Sequence, residues 1–275
     1  MRKETRFKLP LPRELQKTLN SALGDVTCIP SLARVVLMIA LPDLFHSLQV
    51  ILSTNTTTEQ AISASYILST SLIAYFDNLI THPNPHYHSL PDPTSATNFL
   101  FSLLARFYSS TTAMTDEQRA QVGEIIMDAV TGVLTLLRRS CELLSSAPSK
   151  ESSSHIRDYR DTFVEAILTL TYVTSKDSPL RQALILCLFL EMKHVLHGEA
   201  GTREYLGFVY YLLEQVVLRT GRISIVIQSE VKKILGESLL WKRDDKMRWK
   251  DEVIWKLCGM MSGIAGLDLG DLIKC

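Results

Sequence analysis

Three features of this 275-residue chain predict an all-α fold. Apolar residues recur at three- and four-residue steps over most of its length, the joints between such stretches are short, and one stretch carries sharp helix boundaries with apolar residues on every face. That last stretch is Ser178 to Gly198. Ser178 suits an N-cap, Pro179 the first helical position and Gly198 a C-terminal stop. Between them Ala183 to Leu190 is unbroken apolar sequence, so no side of this helix gains from meeting water and other helices are expected to surround it.

Taken in order, residues 1–30 form a basic, proline-broken arm with one short helix from Arg13 to Leu23. An apolar helix, or two short ones, is expected from Ser31 to Ser53 with a break at Pro42. Thr57 and Gln60 make a capping box for a helix reaching Thr81. Prolines 83, 85, 91 and 93 turn residues 82–93 into an irregular loop, and a helix from Ser95 to Tyr108 follows. A second capping box, Thr115 with Gln118, opens a helix whose core stripe is Val122, Ile126, Ala129, Val133, Leu137, Cys141 and Leu144.

Six of the ten residues from Ser145 to Ser154 are serine, which reads as an exposed linker and a phosphorylation candidate. A helix marked by Ile156, Tyr159, Phe163, Ile167 and Leu170 leads into the central one. Thr202 caps the next, closed by Gly221. Arg222 to Ile227 alternates as a strand would, but Ile227, Val231, Ile234 and Leu235 have helical spacing, and helix is the expectation from about 222. A last helix is expected over about Lys246 to Ser262.

The total is nine to eleven helices in a single domain over residues 31–275, with helix starts near 31, 58, 95, 115, 155, 178, 202, 222 and 246 suggesting successive pairs. In architecture this resembles an irregular armadillo/HEAT-like α-solenoid, without a repeating residue signature; a compact multi-helix bundle is the alternative.

Composition narrows the function classes. The 29 basic and 29 acidic residues cancel, which removes the electrostatic footprint of a dedicated nucleic-acid binder. Five widely spaced cysteines, at 28, 141, 187, 258 and 275, read as reduced core residues of an intracellular protein, cytoplasmic or nuclear. No apolar run near Met1 suits a signal peptide, Glu4 and Glu14 weigh against a transit peptide, and Cys275 is misplaced for prenylation. The apolar runs Val35–Leu41 and Ala183–Leu190 are far short of the ~20 residues a membrane span needs. Between Ser31 and Ala113 only Arg34, Asp43, Glu59, Asp77, Asp92 and Arg106 are charged, so this block is cheap to desolvate and could meet a partner.

Candidate chemistry is sparse. Glu191, His194 and His197 have ligand spacing on one helix, but the second Glu-x-x-His pair of a di-iron bundle is absent. His82, His86 and His88 share the proline-rich loop, with no cysteine nearby to complete a zinc site. Neither group is taken as a metal site, no phosphate-binding glycine loop or Gly-x-Ser-x-Gly motif occurs, and no cofactor is expected. Residues 241–256 hold all three tryptophans with six basic and four acidic side chains, and Trp241, Arg243, Lys246 and Arg248 are the candidate partner-binding residues. Trp249 shares a helical stripe with Val253 and Leu257 and reads as core. The sequence thus points to a non-enzymatic adaptor or scaffold that binds another protein; an all-α enzyme with a buried pocket and a structural subunit of a larger complex are the alternatives.

Overall fold

A computed structural model describes residues 114–146, 150–197, 202–240 and 248–264, together with single positions at 62, 66, 69, 70, 73, 77, 80, 101 and 108. Six helices cover the continuous part: α1 Asp116–Ser146, α2 Lys150–Val173, α3 Pro179–His197, α4 Arg203–Arg219, α5 Ile225–Leu240 and α6 Arg248–Ile264. Among the described residues there is no strand, and the single positions before 114 are helical or buried within the expected 58–81 and 95–108 helices. The fold is all-α. The described residues hold six of the expected nine to eleven helices, and those expected near 13–23 and 31–53 lie outside them.

Local chemistry sets the helix starts. At α1 both arms of the capping box are made: the Gln118 amide donates to Thr115 Oγ1 at 3.2 Å and the Thr115 amide to Gln118 Oε1 at 3.0 Å. Asp116 and Glu117 in the first turn meet the positive end of the helix dipole. Ser178 Oγ accepts from the Leu180 amide at 3.3 Å to open α3, and Thr202 Oγ1 from the Tyr205 amide at 3.1 Å to open α4. Ser224 does the same for α5, so that helix begins at Ile225, three residues later than the start expected near 222. In the other direction, α2 begins at Lys150, inside the segment expected to be a serine linker. The serines at 152–154 sit in its first turns, where their low helix propensity costs little, and only 147–149 separate α1 from α2.

The helices pack as three consecutive hairpins in two rows. α1 lies on α2 and α3 on α4, while α5 meets α6; α1, α3 and α5 neighbour one another in one row, and α2, α4 and α6 in the other. Within each row neighbouring helices run parallel. Arg160 of α2 pairs with Glu204 near the start of α4, and Tyr172 near the end of α2 meets Arg219 at the end of α4. Gln182 and Lys193 of α3 likewise meet Ser224 and Glu237 at matching heights of α5. Within the α3–α4 hairpin the direction reverses, since Tyr205 at the start of α4 reaches Glu191 late in α3.

One continuous core lies between the rows. Of the predicted α1 stripe, Val122 through Cys141 is buried and only Leu144 is partly open. α1 is also covered on a second side, where Ile73 presses against Gly132 so closely that an added Cβ would lie 2.5 Å from its Cδ1, and Arg139 pairs with Asp77 at 2.5 Å. By length and composition α1 is the one described helix that could cross a membrane, though half of its apolar window is buried within the fold. In α3, Leu180, Leu184, Ile185, Leu188, Phe189, Met192, Val195 and Leu196 are buried. The expectation that every face of α3 is jacketed needs correction at Leu190, which is 50% exposed: neighbours on three sides leave the fourth open.

Candidate functional site

The two loops at one end of the rows, 174–178 between α2 and α3 and 220–224 between α4 and α5, meet over a buried arginine. Arg181 is only 5% exposed and has no carboxylate partner among the described residues. Its guanidinium instead donates to the carbonyls of Thr171, Thr174 and Arg219, and its Nε to Thr174 Oγ1 at 3.1 Å. Those carbonyls terminate α2 and α4, so the cation sits at the negative ends of two helix dipoles and takes up acceptors the helices leave open. Burial first, and the Arg219 charge second, pull its pKa below the ordinary value while Asp177 pulls the other way; a guanidinium stays charged regardless.

The loops are further tied to each other. The Gly221 amide donates to Lys176 O at 3.2 Å, and the Arg222 amide to Asp177 Oδ1 at 3.4 Å. Gln182 bridges to the second loop, donating to Arg222 O at 2.8 Å and accepting from the Ser224 amide at 3.0 Å. A Cβ at Gly221 would lie 2.6 Å from Asp177 Oδ1, so any larger residue there would make the Asp177 carboxylate move aside. Over this rigid seam the surface is apolar and basic. Tyr172 is 61% exposed, Leu218 54%, Ile225 77% and Val226 72%, half of the eight large apolar side chains exposed among the described residues. The Arg219 guanidinium lies over the Tyr172 ring, 5.0 Å from its centroid, and Lys176 and Arg222 are exposed beside it.

At the other end of the α3–α4 hairpin the fully buried Tyr205 donates its hydroxyl to Glu191 Oε1 at 2.7 Å, and Arg138 of α1 stands 3.7 Å from the same oxygen. Burial and then the Glu191 charge push the Tyr205 hydroxyl well above its ordinary pKa. Glu191 therefore faces a phenol and a guanidinium, while His194 is exposed; among the described residues no three His, Cys, Asp or Glu side chains converge. Cys141 beneath this pair is raised to about 12, chiefly by burial, and burial also raises Cys187 and Cys258. All three thiols stay protonated at neutral pH and are poor nucleophiles.

Of the sequence-derived candidates, Trp241, Arg243 and Lys246 lie outside the described residues, as do the side chain of Arg248, the side chain of Trp249 and His82, His86 and His88. The low-charge block 31–113 is described only at single positions, among which Tyr66 is 48% exposed. Trp255, which sequence spacing did not single out, is 55% exposed on α6. The loop end was missed because Ile225 and Val226 read as core residues of an apolar run, and Arg181 as a polar flank. Only the exposure of the first pair and the burial of the second mark the place. Comparison with protein-family models, with curated proteins and with solved structures gives no match.

Proposed function

We propose that the chain is a non-enzymatic adaptor or scaffold, built as an irregular array of stacked helical hairpins of the armadillo/HEAT kind that continues toward the N-terminus through the helices expected before residue 114. Supporting the array is the neighbour pattern of the six helices, in which each helix packs on its hairpin mate and on parallel helices two positions away. The binding role rests on one observation: exposed apolar side chains, with basic neighbours, at the loop end where the three hairpins meet, at Tyr172, Leu218, Ile225 and Val226. Residues 241–248 remain a second candidate contact.

On this reading the protonated cysteines, Cys141 and Cys258 buried and Cys187 half-buried, belong to an intracellular protein, and α1 is a core helix held between α2 on one side and Ile73 on another. The test combines shape and partnership. Small-angle scattering of the purified chain should give an elongated particle, and affinity capture from cells followed by titration with the purified partner should give saturable, stoichiometric binding. A spherical profile removes the array, and a chain without any saturable partner removes the adaptor.

A further inference from the structure

We infer that the loop end of the rows, where residues 174–178 and 220–224 meet, docks an acidic segment of another protein that also carries large apolar residues. This rests on the adaptor reading and names the surface and the chemistry of its partner.

The apolar half of the argument begins with α5. Ile225 and Val226 occupy its first turn, where a helix gains from polar caps and acidic side chains and gains nothing from exposed aliphatic groups. The helix is already anchored by Ile223, Ile227 and Val231, all buried, so the fold does not require the exposed pair. Tyr172 and Leu218 are exposed near the ends of α2 and α4, the two helices whose following loops meet here.

The charge half selects the occupant. Lys176, Arg219 and Arg222 lie at this end with Asp177 as the one acidic residue in the two loops, and among the described residues none of the three cations has a carboxylate within ion-pair distance. The positive dipole ends of α3 and α5 open here too, whereas the negative ends of α2 and α4 are already occupied by Arg181. The local field is positive in an otherwise neutral chain, so carboxylates fit and cations do not. A lipid surface is disfavoured: membrane-binding patches gather about four to eight Lys or Arg, more than this end supplies. Because the loops are cross-tied through Gly221, Arg222 and Gln182, the surface is formed before the partner arrives and little ordering cost is left to meet. The stacked Tyr172–Arg219 pair is of the kind that concentrates binding energy.

The test selects a display library of short random peptides on the purified full chain, then titrates the most enriched peptide by fluorescence anisotropy against wild type, K176E/R222E and I225S/V226S. All four side chains are exposed, so both variants should keep the wild-type melting curve. Enriched peptides should combine Asp or Glu with large apolar residues, and each double variant should weaken binding by about tenfold or more, with added salt weakening the wild-type complex. Enrichment of neutral or basic peptides, or undiminished binding by both variants, overturns the proposal. So does cosedimentation with equimolar phosphatidylserine and phosphatidylcholine vesicles that both variants lose, or a homodimer in sedimentation velocity that I225S/V226S dissociates. A cellular partner retained by both variants removes this surface and leaves the adaptor reading standing, whereas a wild-type chain that captures no partner removes the adaptor reading itself.

Discussion

Replacing Arg181 by methionine should be among the most damaging single changes in the described fold. The side chain is 5% exposed and supplies hydrogen bonds to three backbone carbonyls and one hydroxyl, spread over the ends of α2 and α4. Charge-assisted bonds contribute about 1.5 to 3 kcal/mol each, but removing the cation also removes the cost of burying it. Three carbonyls left without this donor cost about 1 to 3 kcal/mol each, and the recovered desolvation offsets part of that, for a net effect of about 3 to 5 kcal/mol. In a urea titration followed by circular dichroism, with a slope of about 3 kcal/mol per molar, the midpoint should fall by about 1 to 1.7 M at unchanged slope. Lysine keeps the charge but cannot span carbonyls on two helices, and should recover less than half of the loss. A cycle with Thr174→Ala should be strongly non-additive, because Thr174 Oγ1 accepts from Arg181 Nε while donating to Leu170 O at 2.5 Å. A loss below about 1 kcal/mol for R181M would refute the reasoning, since it would mean that water replaces the guanidinium at no cost.

Four further outcomes follow from particular contacts. Thr115→Ala removes one arm of the α1 capping box and should cost about 1 kcal/mol in the same titration. Gly207 and Gly259 are exposed helix-interior positions where a Cβ would meet nothing within 4 Å, so alanine at each should raise stability by about 0.5 to 1 kcal/mol, read as a higher melting temperature. Gly132→Leu should instead destabilise by about 1 to 3 kcal/mol, since Ile73 already fills the space. The Cys141 thiol, raised from 9.0 to about 12, contributes stability that is whole below pH 9 and is lost as pH rises toward 12, because the unfolded thiol ionises first. At about pH 10.5 that loss is about 2 kcal/mol, so Cys141→Ala should show a smaller fall between pH 8 and 10.5 than wild type.

The features legible in the sequence were those written over short spans. Thr115 with Gln118, Ser178 with Pro179, and Thr202 announced three helix starts within one turn of chain, because caps are local hydrogen bonds. The stripe from Val122 to Cys141 announced a buried face for the same reason. Which apolar residue stays outside is decided by helices far away in sequence, and there the reading failed: Leu190 and Ile225 are as apolar as Leu188 and Ile227, but no neighbour covers them. Arg181 shows the converse. A cation that close to an apolar run looks like a solvated flank, and its burial becomes visible only once α2 and α4 bring their last carbonyls to one point. The start of α2 was misplaced because a run of serines resembles a linker, although Phe163, Ala166, Ile167 and Leu170 bury enough apolar surface to hold the helix beneath it.

The arginine seam also has a mechanical meaning. Hairpins that touch only through greasy side chains can slide past one another by small shears, since such contacts re-form at many offsets. A planar fork gripping the ends of α2 and α4 admits one offset, so the α1–α2 and α3–α4 hairpins are pinned in register, and Gln182, holding both Arg222 O and the Ser224 amide, ties the start of α5 to α3 in the same way. The three hairpins are thereby held against shear at the loop end.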